Sequence, residues 1–546
     1  MNINKPNRTS RSVLLKGGAL AWAQLAALSG LLTMATVSSA GDAQQIIRDR
    51  CLSCHSETGD RQAPFSRISQ QRKTPEGWEM TLQRMQAIRG LKISPQEKRT
   101  LIKYLSDTQG LAPAETEGVR YVLEQNRNAV ESLENQAIAG KCSVCHSGAR
   151  VALQRRSEPE WEKLVHFHMA QFPTIELLAG ARDHDWFEQT INEIVPELAN
   201  SYPLNSTQWS DWKTVKKQPL TGSWRAVGWL PEKGEYEARF TVTALDSDYY
   251  NLDIRGKYAD GSPLSGTGRA LVYTGYEWRS NVTINGIKMR QVFAASEDGL
   301  AMEGRMFLRS ANELGGAVRA VRESPDRSHI LSISPSYLKQ GERSVINIIG
   351  SRLYGKIALG HDLKVLKILS RSADRVSVLA EATEGASLGK HPVSIGSANG
   401  GYLAVYDRLA RVEVTPTESI ARVGGNGGKL AKQKVAYRAV GYAAGNDGQP
   451  GTEDDLRLGY MPAHWSLKAF DEVAEHDKDL LFAGTINSVT GVFIPGDAGP
   501  NPARKMSTNN VGQLAVVATV KDGNQQVSGD NHLLVTVPTF MFPVIQ

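Results

Sequence analysis

Cysteine is the scarcest informative residue of this 546-residue chain: there are four, and none lies beyond Cys145. The long remainder can therefore carry no disulfide, so any β-sandwich in it must do without a cross-sheet bridge. That remainder also lacks other signatures. We read no nucleophile elbow, phosphate loop or HExxH in it. Its histidines, His329, His361, His391, His464, His476 and His532, are scattered. Basic residues form no stripe with interleaved aromatics, which argues against a nucleic-acid partner. Hydrophobic residues make up 41% and charged residues 22%, so most of the chain should fold around real cores. The 50 Gly and 23 Pro are well spread, which favours turn-rich β modules over long helices.

The first 40 residues look like an export segment. Lys5, Arg8, Arg11 and Lys16 precede "ALAWAQLAALSGLLTMATV", and Ser38 and Ala40 stand where a signal peptidase wants small side chains. The apolar run is long enough for an uncleaved anchor, but Gln24, Ser29 and Gly30 dilute it. Cleavage after about Ala40 is the expectation, leaving no stable membrane anchor. It removes four positive charges, so the net charge of +6 falls to about +2.

The four cysteines form two Cys-x-x-Cys pairs, each followed at once by histidine: "CLSCH" (Cys51, Cys54, His55) and "CSVCH" (Cys142, Cys145, His146). This is the attachment pattern of c-type haem. Two thiols bind the porphyrin vinyls as thioethers, and the adjacent His offers the proximal nitrogen. Other uses fit less well. Neither site sits in a βαβ pattern, as a thioredoxin-type motif would. A zinc site would not need the pairs about 90 residues apart, each with its own His. A disulfide within each pair would be an unusually tight staple. Two covalent haems are expected.

A low-spin haem takes a sixth ligand, commonly Met or a second His. Aligning "TPEGWEMTLQRMQAI" with "SEPEWEKLVHFHMAQF" on Trp78 and Trp161 places Met85 against His168, each seven residues after its Trp. Both segments read as helices, and seven residues is nearly two turns, so Trp and ligand share a face. The indoles of Trp78 and Trp161 are then expected at the haem edges. His166 lies about 200° from His168 around the helix and Met169 about 100°, so both point elsewhere. The expected iron ligands are His55 with Met85, and His146 with His168, with His184 the rival to His168. Met ligation raises a haem potential, so the second haem is the expected electron donor to the first. "ISPQEKRTLIKYLSDTQG" should form a helix, with Ser94 capping, Pro95 in the first turn and Glu97 completing a capping box.

From about Pro219 alternating apolar and polar residues take over. The expected architecture is α + β and multidomain: a signal peptide (1–40), a cytochrome c-like unit (41–114) and a second haem unit (115–215), both mostly α. Three antiparallel β domains follow: a barrel (216–323), an immunoglobulin-like sandwich (324–416) and a further sandwich (417–546). The loop "GNDGQPGTEDD" offers Asp447, Asp454 and Asp455 as Ca²⁺ ligands, but their spacing fits no EF-hand and a solvated turn is the preferred reading.

Two haem pentapeptides, the Trp-to-Met and Trp-to-His pairs and three β modules together resemble the alpha subunit of bacterial quinohemoprotein amine dehydrogenase, over nearly the whole mature chain. The resemblance implies a periplasmic heterotrimer. In that family a γ subunit carries a cysteine tryptophylquinone that oxidises amines, and a β subunit is a propeller. The α chain passes electrons through one bis-His and one Met-ligated haem to a soluble copper protein or cytochrome c. It agrees with the cysteine count: every Cys here is used by haem, so this chain cannot build a Cys-derived quinone and is expected to hold no catalytic residue of amine oxidation. Two other readings are a dihaem peroxidase, which would need an open sixth site, and a haem-bearing adhesion protein.

Overall fold

The computed structural model describes residues 40–143, 145–178, 185–504 and 509–538. Residues 1–39 of the expected export segment, and the rival ligand His184, lie outside them. A helical head leads into a β scaffold of three units. The first part of the head is built from helices Ala40–Cys51, Pro75–Arg89 and Pro95–Thr108. The last of these starts on the capping box: the Glu97 amide donates to Ser94 Oγ (3.1 Å), and the Ser94 amide to Glu97 Oε2 (2.7 Å). Its Leu101 and Ile102 pack with Ile47, Phe65 and Leu82. The second part gathers Trp161, Val165, Trp186, Ile194 and Leu198 into its own core.

A short antiparallel ladder ties the two parts together. Gln71–Lys73 pairs with Gln154–Arg156 in the register Gln71↔Arg156, Arg72↔Arg155, Lys73↔Gln154. Five residues beyond each ladder strand comes a buried Trp, Trp78 or Trp161.

The barrel is an up-and-down meander of eight strands from Gly222–Leu230 to Ala311–Arg322, closed by pairing of the last strand with the first. Its interior is filled. Trp224, Tyr236, Phe240, Tyr276, Trp278 and Met306 are buried there, and the enclosed Gln291 accepts from Ser280 Oγ at 2.6 Å. Eight strands enclose just enough room for side chains, so this barrel is a core and not a ligand pocket. It also positions the head. Arg279 of the barrel binds Glu76, in the first turn of the Pro75–Arg89 helix, at 2.6 Å, and Glu277 at 2.7 Å, with all three buried. Trp212 donates to the Thr274 carbonyl at 2.9 Å, and the Thr274 amide donates to Asp107 at 2.8 Å.

The sandwich packs two four-stranded sheets, and the last unit packs a four-stranded sheet against two of three strands. The expectation of antiparallel pairing needs one amendment. Tyr337–Lys339 runs parallel to Ala398–Tyr406, and Glu418–Arg422 runs parallel to Gln525–Thr536. Each follows a proline, Pro335 or Pro416, that separates it from a preceding strand in a different sheet. Proline has no N–H to continue a ladder. The chain crosses to the other sheet there and arrives parallel to its new neighbour.

Candidate functional site

Each Cys-x-x-Cys-His segment begins where a helix ends. Cys51 closes the Ala40–Cys51 helix, and its carbonyl accepts from the amides of Cys54 (3.1 Å) and His55 (3.0 Å). Cys142 closes the Gln136–Cys142 helix. In both turns the first Cys is half-buried, the second is exposed and the His is half-buried. All four thiols are free. Burial pushes the Cys142 thiol up to about 11. Each turn thus offers two free thiols and one imidazole within five residues, which is the donor set a covalent haem requires.

The histidines decide the fit. His55 Nδ1 donates to the Ser66 carbonyl (2.9 Å), His146 Nδ1 to the Ser147 carbonyl (3.0 Å) and His168 Nδ1 to the Leu164 carbonyl (2.8 Å). A carbonyl only accepts, so Nδ1 carries the proton and Nε2 keeps its lone pair. None of the three Nε2 atoms has a hydrogen-bond partner among the described residues. This is the arrangement in which ligating histidines are normally held. Burial lowers the proton affinity of His146 and His168, and nearby arginines lower it further, so both are neutral donors at neutral pH. Their ring centroids are 6.4 Å apart. Two metal–nitrogen bonds of about 2 Å, plus half of each ring, fill that distance. The residues fit an iron ion held between them.

His168 sits on the Glu158–Gln171 helix, and the neighbours on that helix sort as helical geometry demands. His166 is exposed, with its Nε2 3.7 Å from Glu162 and its ring edge-on to Phe187. Met169 packs on the apolar core. Met85 occupies the matching place on the Pro75–Arg89 helix, half-buried and outside the first unit's apolar cluster. Trp78 and Trp161 are anchors of these two helices: the first donates to the Gln109 carbonyl (3.1 Å), the second to the Tyr202 carbonyl (3.4 Å).

Sequence reasoning missed the group at the centre of the ladder. Arg72 and Arg155 are direct ladder partners, and both turn onto one carboxylate, Glu115. Arg72 binds it with two nitrogens at 2.8 Å and Arg155 with one at 3.1 Å. Ser206 Oγ (2.7 Å) and the Ala112 amide (2.8 Å) complete the shell. Burial alone would raise the Glu115 pKa, but these arginines and hydrogen bonds outweigh it and hold it at about 2. A second tie runs from Arg67 to the fully buried Glu160 (3.0 Å). The signal was in the sequence: "QRK" before Trp78 and "QRR" before Trp161 extend the Trp repeat backwards.

Two further features need placing. The letters Gly385-Ala386-Ser387-Leu388-Gly389 do match G-x-S-x-G, contrary to the sequence reading. The segment is a loop running into the Gly389–Ile395 strand, not the strand–turn–helix of a nucleophile elbow. Ser387 donates to Asp362 (2.6 Å), and His391 Nε2 donates to the Ser387 carbonyl (2.7 Å), so the histidine is turned to the backbone and not to the serine hydroxyl. In the acidic loop, Asp455 turns to Arg411 (3.2 Å), while Asp454 and Asp447 accept amide and hydroxyl hydrogens of their own turn. Among the described residues no three His, Cys, Asp or Glu converge as a metal cage.

Fold and site define a class: a haem-binding helical head carried on a β scaffold. Family models give the particular family. Residues 41–209 match the haem-binding region of quinohemoprotein amine dehydrogenase, alpha subunit; residues 217–323, 327–407 and 412–545 match domains II, III and IV of that subunit. The chain belongs to the family of quinohemoprotein amine dehydrogenase alpha subunits, and so to a multi-subunit oxidoreductase. No curated protein matches it. Solved structures with partial likeness include a redesigned β-barrel, mFAP1, bound to DFHBI (17% identity, 19% of this chain and 94% of that chain, TM-score 0.17). Another is the mixed-linkage glucan utilization locus protein SGBP-B of Bacteroides ovatus (10% identity, 57% and 60%, TM-score 0.17). Neither bears on what this chain does.

Proposed function

We propose that this chain is the electron-transfer subunit of a periplasmic amine dehydrogenase and holds two covalent haems. One is borne by Cys51 and Cys54 with His55 and Met85 as ligands, the other by Cys142 and Cys145 with His146 and His168. The observation that carries this reading is the close pair His146 and His168, each with Nδ1 fixed on a backbone carbonyl and Nε2 left free. When bound, the haems supply one-electron chemistry, accepting electrons from a quinone on a partner subunit at the bis-His site and releasing them from the Met-ligated site to a soluble copper protein or cytochrome c. The chain's own part is to hold the ligands rigidly, so that little reorganises when charge changes. The Glu115 shell, the ladder and the Arg279–Glu76 clamp do this for both ligand helices. Amine oxidation itself is assigned to the quinone-bearing γ subunit, beside a β propeller. The domain limits follow the boundaries read from the sequence.

The test is native purification followed by mass spectrometry. Two covalent haems on this chain and a small, internally cross-linked companion are expected. A lone monomeric chain would overturn the complex, and peroxide turnover by that chain would point to a peroxidase instead.

A further inference from the structure

Between the two ligand helices lies a set of cations with no carboxylate of their own. Lys73 is 4% exposed, donates to Thr81 Oγ1 (2.7 Å) and lies 5.1 Å over the Trp78 ring. Arg156 is 5% exposed, donates to Gln154 (3.0 Å) and lies 5.5 Å over Trp161. Arg84, next to Met85, reaches across to the other ligand helix and lies 4.7 Å over Phe167, the neighbour of His168. Arg150 is half-buried four residues after His146. Among the described residues none of the four makes an ion pair. Arg84 and Arg150 have no side-chain hydrogen bond there either. The one acid in the group, Glu160, is already held by Arg67, Gln71 and Lys163. The charges also feel one another: burial lowers the proton affinity of Lys73, and Arg156 and Arg84 lower it further, while Arg150 adds to burial in lowering that of Arg84.

Buried cations without counter-ions cost several kcal/mol unless an anion joins them. Two c-type haems bring four propionate carboxylates. Resting on the dihaem reading above, we infer that Arg84 and Arg150, with Lys73 and Arg156 behind them, receive haem propionates. They form one shared cationic seat at the junction of the two haem units and help to set the haem potentials. Arginine suits this role because its planar fork matches a carboxylate.

The test uses the complete chain in its native complex, with Arg84→Gln, Arg150→Gln and the pair combined. Haem potentials are read by spectroelectrochemistry, and propionate carboxylate bands by redox-difference infrared spectroscopy. Loss of a cation disfavours the added electron. At least a tenfold change in electron affinity is expected at one haem, a fall of 59 mV or more for a one-electron couple, together with shifted carboxylate bands. Arg84→Lys should restore most of the potential. Should the double variant not fold, Arg84→Gln alone carries the test, since that side chain is only half-buried. Unmoved potentials and bands in a chain with both haems would overturn this inference alone. A moved potential with unmoved bands would overturn it in favour of an anion from a partner subunit. A wild-type chain without covalent haem would overturn the reading on which it rests.

Discussion

The two halves of the helical head share a plan and differ at the proposed sixth-ligand position and in one loop. Each has a helix ending at the first Cys of Cys-x-x-Cys-His, a basic ladder strand, a buried Trp under a cation and a following helix on which Met85 and His168 correspond. In the second half the two imidazole centroids lie 6.4 Å apart, with the rings tilted by 45°. In the first, Met85 stands at the helix position that His168 takes in the second. The loop between histidine and tryptophan also differs, with Trp78 23 positions after His55 and Trp161 15 after His146. The shared plan fixes where the ligand helices lie. On the proposed ligand assignment, the exchange of Met for His gives the halves different electron affinities while leaving the frame unchanged.

The comparison breaks most severely if the shared frame is cut. Glu115→Gln leaves Arg72 and Arg155 buried and unpaired and should cost about 3–5 kcal/mol of stability, read by denaturant unfolding of the full chain. The pH dependence has a definite sign. The folded pKa of Glu115 is depressed to about 2 from 4.5, so its stabilisation, roughly 3 kcal/mol, is fully present above about pH 4.5 and is lost as pH falls toward 2. Wild type should show this acid-sensitive component and Glu115→Gln should lack it.

Next come exchanges that erase the difference itself. Met85→His should lower the potential of the first haem on the order of 0.1 V, equivalent to about 2.3 kcal/mol per electron, and make the two haems nearly alike in a redox titration. Trp161→Phe and Trp78→Phe remove the indole bonds to Tyr202 and Gln109. Each should cost about 1 kcal/mol because the carbonyl loses one of its two donors, the Lys73 or Arg156 amide remaining, and the cost should be similar in the two halves if the anchors are equivalent. The smallest effect belongs to His166→Ala. An exposed histidine away from the iron should change stability by less than about 0.5 kcal/mol and leave the haem spectrum unchanged.

What the sequence made legible was local chemistry and spacing. The pentapeptides name their own partners, the capping box of Ser94 and Glu97 is a four-residue pattern, and helical geometry separates His168 from His166 and Met169 within four positions. What it hid depends on long-range approach. Glu115 is an unremarkable acid until Arg72 and Arg155, more than 80 positions apart, are brought together by the ladder. The parallel strands after Pro335 and Pro416 follow from sheet crossings that alternating hydrophobicity does not encode. The letters of G-x-S-x-G at Gly385–Gly389 show the converse, a pattern whose chemistry disappears once the backbone around it is known.

The most direct test of the account is His168→Met in the purified complex, followed by optical spectroscopy and redox titration of both haems. If His146 and His168 hold the second iron, that haem loses its bis-His spectrum, gains a Met–iron band and rises in potential on the order of 0.1 V, within the roughly 0.8 V that axial ligands span. Electron transfer onward to the first haem then slows. A spectrum and a potential that do not move would contradict the assignment and pass the ligand role to His184.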